Sequence, residues 1–519
     1  MSSDKFLRGA MILTLAGLMV KVIGSVNRIL LSRLLGGEGI GLYQMAYPVY
    51  LLLLAVSAAG IPVAISIIIA GYLAKRDYNN VRQVFRVSFR LMIVVGIALA
   101  FLLLFAAGWL VNIGAIKDGR AYYSLIALAP AVFFGAVLAS LRGYFQGHQL
   151  MTPTAVSQII EQFIRVVTML VLAYALLPYG LEYAAAGAAF GAVPGSLIGL
   201  LVLGCFYRRY CKQLQGQENL AMLKIPLVRS GVLIKRLLLL ALPVSLANIL
   251  VPVTSSIDAL LVPKYLIESG LAVKEATTQY GYLAGMAQPL LLMATIPTMS
   301  LATSIVPAVS EAFALTQWRV IGAKTATAMK LCCLITVPAS VGMCVLAQPI
   351  SQLLYGTAKA AQAIMHTAPA ICFLGVQQVT TGLLQGIGHT NLPMINMFIG
   401  IVAKLIAVCQ LTNVQYGIAG AAWATNINFA LTALLNIFAL YYFQLRFAWG
   451  GIFKIAAASL IMGAAAYAVY MLLTGFSATL ATVAALGGAV VCYALLLPLF
   501  GIINKQDLKQ IPLIKKIVK

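Results

Sequence analysis

The sequence predicts an all-α, polytopic membrane protein of about fourteen transmembrane helices. Two six-helix lobes, related by a pseudo-two-fold axis along the membrane normal, are followed by two extra C-terminal helices. Three observations predict this. First, 62% of the 519 residues are hydrophobic and only 9% are charged, with a mean hydropathy of +0.99. A water-soluble core cannot hide that much apolar surface. Second, the apolar runs are long and continuous, unlike the short alternating segments of a membrane barrel. Third, landmarks in the first half of the chain recur in the second at a nearly constant offset.

The apolar runs fall near 10–35, 42–72, 88–113, 121–145, 154–178, 183–206, 236–263, 279–312, 325–348, 361–386, 392–412, 417–443, 452–474 and 479–503. Each can cross a hydrocarbon layer about 30 Å thick at about 1.5 Å per residue. The second and eighth are too long for straight crossings, so they must tilt, kink or project. Lys5 and Arg8 before the first run imitate a signal peptide. That run is too long and carries internal cations, so it reads as a retained first helix.

Loop charges orient the spans. Placing the N-terminus and every even-numbered loop on one side leaves six basic residues on the other: Arg33, Lys117, Arg120, Lys264, Lys274 and Lys359. Four more lie inside spans: Lys21, Arg28, Arg165 and Lys404. The remaining 25 of the 35 share the first side, which the positive-inside rule assigns to the cytoplasm together with both termini. The net charge of +23 is thereby explained by topology and by anionic lipid headgroups, with no need for nucleic acid. The expected location is the bacterial cytoplasmic membrane.

The repeat rests on three ordered echoes. Gln146-Gly147-His148 before Pro153 matches Gln385-Gly386-Ile387-Gly388-His389 before Pro393. Tyr179-Gly180 with Ala186-Gly187-Ala188-Ala189-Phe190 matches Tyr416-Gly417 with Ala419-Gly420-Ala421-Ala422-Trp423. Gly60-Ile61-Pro62 matches Thr295-Ile296-Pro297. Each repeat holds six spans, an even number, so both halves lie the same way up with a cavity expected between them. The division is 1–206, a linker at 207–235, 236–443, and 444–519 for the last two spans and a basic tail.

Polar residues inside spans are the candidate functional groups, because each mid-bilayer charge costs at least about 2.5–3.5 kcal/mol on insertion scales. In the first span Thr14, Lys21, Ser25 and Arg28 share one helical stripe, flanked by Gly17 and Gly24. Cations beside small residues read as the wall of a wet, anion-accepting cavity; the bland alternative is snorkelling. In the seventh span Ser245, Asn248, Pro252, Ser255 and Asp258 share a face, and the repeat sets Asp258 opposite Arg28. Glu161 and Arg165, one helical turn apart in the fifth span, can neutralise each other. The repeat partner of that span carries Asn396 and Lys404. Asp258, Asn248, Ser255, Glu161, Arg165 and Lys404 are therefore candidates for coupling or gating.

The function classes excluded are enzymatic. There is no HExxH, GxSxG, Walker A or strand-associated GxGxxG, and no loop is large enough for a catalytic domain. The eight cysteines are scattered without CxxC or Cys/His metal spacing, so neither a disulfide framework, a metal site nor a cofactor is expected.

Six plus six plus two spans, with the landmarks at Gln146-Gly147-His148 and Gln385-Gly386, resemble the MATE-like flippases of the multidrug/oligosaccharidyl-lipid/polysaccharide exporter superfamily. Residues 20–77 look most similar to the stage V sporulation protein B branch of polysaccharide exporters. The resemblance implies transport of an undecaprenyl-diphosphate-linked saccharide, foremost the peptidoglycan precursor lipid II, with a coupling ion such as Na+ or H+. Related lipid II flippases carry a first-helix pattern near Ser-Arg-Val-Leu-Gly, then Arg-Asp, then Ala-Arg. Here the matching stretches are Val20-Lys21-Val22-Ile23-Gly24, Asn27-Arg28 and Ser32-Arg33. The resemblance thus implies substrate contacts from Lys21, Ser25, Asn27, Arg28 and Arg33, with the Arg-Asp pair replaced by Asn27-Arg28. Two other readings stay open at this level: a MATE-type drug or cation antiporter, and a non-transporting membrane scaffold for envelope or spore-wall assembly.

Overall fold

The structure, a computed structural model, describes residues 2–218, 226–413, 415–445, 450–475 and 477–502. Lys224, Arg446 and the basic tail after residue 502 lie outside these residues. All regular structure among the described residues is helical. By packing, the chain forms two compact units, Met1–Gly281 and Tyr282–Lys519.

The first unit contains α1 (Ser2–Leu54), α2 (Ile61–Ala74), α3 (Tyr78–Asn112), α4 (Ala121–Gly147), α5 (Met151–Leu176), α6 (Leu181–Phe190), α7 (Ala192–Glu218), α8 (Ser230–Glu268) and α9 (Val273–Tyr280). α1 is two helices that meet at Gly36, which sits at φ 65°, ψ −173°, where a side chain is strained. Arg28 and Tyr47 would lie about 28 Å apart along a straight helix of that length. The Arg28 guanidinium instead stands 5.5 Å from the Tyr47 ring centroid. The chain therefore folds back at Gly36, and α1 is a helical hairpin. Its two arms are the first and second apolar runs.

The second arm continues through a π-helical turn, Ala55–Ala59, and a break at Gly60 into α2. Pro62 occupies the first turn of α2, where its missing N–H would have had no helical partner. The Gly60 amide donates to Ser245 Oγ of α8 at 3.2 Å, so a side chain from another helix satisfies the group the break exposes. A break followed by a first-turn proline recurs at the eighth run, where Pro297 opens a helix and the segments on either side of Thr295 are bent by 46°.

The second unit contains α10 (Gln288–Ala294), α11 (Ile296–Ala314), α12 (Trp318–Val345), α13 (Ala347–Tyr355), α14 (Ala361–Thr367), α15 (Ala370–Gly386), α16 (Asn391–Leu411), α17 (Gly417–Tyr442), α18 (Gly450–Leu473) and α19 (Ala478–Leu499). Among the described residues twelve helical segments are long and apolar enough to cross a membrane, or thirteen with the bent pair counted as a span. One of the twelve, Ile12–Ala74, spans 63 residues and includes the hairpin. The protein is a multi-pass membrane protein.

Backbone turns recur at a near-constant spacing. Positive-φ turns at Gly36, Arg76, Gly114, Gln149 and Gly180 are followed by a second series at Gly270, Thr316, Gly356, Gly388 and Gly417, each pair 234 to 242 residues apart. The two matching histidines also share a role. His148 packs on Tyr144 at 4.3 Å and Tyr210 at 5.3 Å, and His389 stacks on Phe443 at 4.3 Å. In each case an imidazole after one helix is held by a ring at the end of a later one.

Candidate functional site

Three polar groupings in the first unit and one in the second hold the residues that the sequence singles out. The first lies along the α1 hairpin. Lys21 and Arg33 are exposed, Ser25 and Arg28 are half-buried, and Asn27 is buried. Asn27 points Nδ2 at Met169 Sδ of α5, 3.4 Å away, so it faces protein and not the stripe shared by Lys21, Ser25 and Arg28. On the returning arm, Tyr43, Tyr47 and Tyr50 recur at helical spacing. Their rings lie 5.3 Å and 5.7 Å apart in sequence order. Arg28 covers Tyr47, a cation–π contact that compensates a guanidinium in apolar surroundings.

Asp258 of α8 is 2% exposed. It is buried, not hydrated at a helix end. Tyr280 of α9, also buried, donates its hydroxyl to the Gln44 carbonyl at 3.2 Å and lies within electrostatic reach of both Asp258 and Arg28. Carboxylate and guanidinium thus both act electrostatically on one tyrosine. Other members of the α8 face are placed differently. Asn248 is exposed and donates to Val244 O at 2.8 Å, while Ser255 is half-buried and bonds Val251 O at 3.5 Å. Both interactions are one turn back on their own helix, leaving Ser245 and Asp258 as the inward members.

The second grouping centres on Glu161. Arg165 donates to its Oε1 at 2.8 Å, and Arg142 of α4 donates to its Oε2 at 2.6 Å. The pair expected from sequence is a trio with one positive charge in excess. Arg165 also hydrogen-bonds Tyr50 and acts electrostatically on Tyr47 and Tyr43, so both guanidiniums act on the tyrosine ladder. Gly187 of α6, Gly191 at the junction, and Gly195 and Gly199 of α7 recur every four residues on the face against α5, and the last two leave room for the trio. A Cβ at Gly195 would stand 2.9 Å from the Arg165 Cβ, and one at Gly199 3.2 Å from the Glu161 Cβ. Small residues at this spacing let membrane helices approach closely.

A third grouping clasps the tip of the hairpin, outside the spans. Arg120 donates Nη1 to Glu38 at 2.6 Å and Nη2 and Nε to Asp118 at 2.8 and 3.0 Å. Thr277 of α9 donates to Asp118 at 2.8 Å, and Lys274 approaches Glu38 at 3.4 Å. Burial alone would raise the Asp118 carboxyl. The hydrogen bonds from Arg120 and Thr277, with the attraction of the guanidinium, hold it below its usual value. Backbones meet directly here: a Cβ at Gly41 would overlap the Thr277 carbonyl, and one at Gly281 the Gly37 carbonyl. Asp118 and Arg120 were only loop charges in the sequence.

In the second unit Lys404 is 1% exposed, so it does not snorkel. On the same helix, Asn396 donates to Asn436 Oδ1 of α17 at 2.9 Å. Asn436 in turn donates to the hydroxyls of Thr380 and Thr381 at 3.2 Å. Thr432 donates to Asn428 O at 2.8 Å beside Gly400, which leaves it room. Where the first unit sets an ion trio against glycines, the second sets amides against hydroxyls. Among the described residues no His, Cys, Asp and Glu cluster could hold a metal ion.

The family model described as polysaccharide biosynthesis protein matches residues 6–313, and that described as MatE matches residues 243–408. The chain is 31% identical to stage V sporulation protein B of Bacillus subtilis (strain 168), over all of both chains. It is 26% identical to the lipid II flippase MurJ of the same organism, over 83% of this chain and 82% of that one. Among solved structures, a lipid II flippase MurJ in an inward closed conformation superposes with a TM-score of 0.71 at 16% identity, covering 94% of this chain and 98% of that one.

Proposed function

Because the chain belongs to the polysaccharide biosynthesis protein family, we propose that it moves an undecaprenyl-diphosphate-linked saccharide across the cytoplasmic membrane by alternating access. Lipid II is the leading substrate, on the similarity to a lipid II flippase over most of the chain. The observation that carries the reading is the cationic stripe of α1, with Lys21 exposed and Arg28 half-buried on a membrane-spanning arm.

A diphosphate must cross a zone where unpaired charge is costly. Lys21 and Arg28 offer it charge-assisted hydrogen bonds, with Ser25 beside them and Arg33 toward the far end. Asn27, turned toward Met169, supports the helix and does not face the ligand. Without substrate, Asp258 balances part of the Arg28 charge through the setting they share with Tyr280. The diphosphate competes for that cation, so the bound and empty states differ in contacts made, which is what a ligand needs to shift a conformational equilibrium. Asp258, Asn248, Ser255, Glu161, Arg165 and Lys404 are the groups through which gating or a coupling ion, Na+ or H+, would act. The saccharide is carried unchanged; no bond in it is made or broken.

The MatE match favours a second reading, a drug or cation antiporter. Cationic substrates need a carboxylate in the cavity. Glu161 is already held by two arginines, and Asp258 is the other carboxylate among the candidate residues. Complementation separates the readings. Lys21→Ala and Arg28→Ala should each fail to rescue a flippase-deficient strain while accumulating normally in the membrane. Full rescue by both would remove the diphosphate site.

A further inference from the structure

We propose that the groove between α11 and α12 is a binding site for a single anionic phospholipid, independent of the transported substrate. The two helices form a hairpin joined by residues 315–317, and between them lies an open groove of about 630 Å³. Leu301, Ile305, Val320 and Leu331 supply its apolar walls, while Ala308 and Ala323 contribute only methyl groups and leave the space. The groove runs from Arg319 to Leu331, about 18 Å at 1.5 Å per residue. That length accepts an extended fatty acyl chain.

The charge sits at one end. Arg319 and Lys324 line the groove within the first two turns of α12, at the mouth, and the rest of the lining is apolar but for Ser304 and Thr327. Lys324 gives one N–H to the Ala308 carbonyl at 2.6 Å, which fixes the ammonium beside the groove; an ammonium has three donors. Arg319 is exposed, and among the described residues neither cation pairs with a carboxylate. An apolar slot with cations at its head matches an amphiphile with an anionic head. It also lies at the end of the spans that loop charge assigns to the cytoplasm, where anionic lipids are enriched. One guanidinium and one partly committed ammonium suit a phosphodiester with a single negative charge better than a diphosphate.

The test uses the full-length purified protein in nanodiscs with equal phosphatidylglycerol and phosphatidylcholine, followed by native mass spectrometry after detergent extraction. Wild type should retain one phosphatidylglycerol. Arg319→Gln/Lys324→Gln keeps a donor for Ala308 O but removes the charge, and should lower occupancy at least tenfold. Ala323→Leu fills the slot with both cations in place and should lower it similarly. Three results would overturn the proposal: equal retention of phosphatidylcholine, unchanged phosphatidylglycerol in both variants, or preferential retention of added undecaprenyl phosphate. Failure here leaves the first-helix diphosphate site untouched, because the variants alter only the second unit.

Discussion

At Glu161 one carboxylate meets two guanidiniums from different helices, with the three side chains between 14% and 21% exposed. Removing the carboxylate strands two cations in a setting that penalises each, so the trio is asymmetric in its sensitivity. Glu161→Gln should destabilise the protein by about 3–5 kcal/mol, the usual cost of breaking a buried pair. Adding Arg142→Gln should recover part of that loss. Thermal unfolding of the single and double variants in one detergent gives the coupling; additive losses would show that Arg142 is a bystander. Helical spacing makes the Glu161–Arg165 pair legible in the sequence. Arg142 was not legible: it is 19 residues away, and near a predicted boundary it reads as another loop cation. Lys404 shows the same limit. Spacing places it on a helix, but only packing says that the side chain turns inward.

Among the elements, the α1 hairpin sets the candidate site, and its tip is held by ionic contacts. Asp118 is ionised more readily in the fold than the ordinary carboxylate value of about 3.9. Its contribution to stability is therefore complete above that value and is lost as pH falls through the lower folded value. Asp118→Asn should lower the melting temperature at pH 7, and the gap from wild type should close as pH drops below about 4. A gap independent of pH would mean that Thr277 and the backbone contacts, not the Arg120 ion pair, hold the tip. The hairpin itself was readable from two apolar runs with Gly36-Gly37 between them. The clasp was not, because Glu38, Asp118 and Thr277 come together only once three separate segments are folded.

At the scale of the whole molecule, two of the three short echoes, those at Gln146-Gly147-His148 and Tyr179-Gly180, fall at positive-φ turns whose counterparts lie 239 and 237 residues later, because turns are where local backbone demands restrict the residue type most. The helices between them are free to diverge: the first unit holds an ion trio at Glu161, and the second holds amides and hydroxyls at Asn396 and Asn436. Packing follows a different boundary from the repeat: α8 and α9 join the first unit, where Ser245 caps Gly60 and Tyr280 reaches Gln44. That arrangement puts Asp258 in the same unit as Arg28. The central claim, that Lys21 and Arg28 hold the diphosphate during transport, is tested most directly by translocation in vesicles. The purified chain is reconstituted into liposomes, and the initial rate of lipid II appearance in the opposite leaflet is compared between wild type and Lys21→Ala/Arg28→Ala. The account predicts translocation by wild type and a rate equal to protein-free vesicles for the double variant. Equal rates for the two proteins would contradict it.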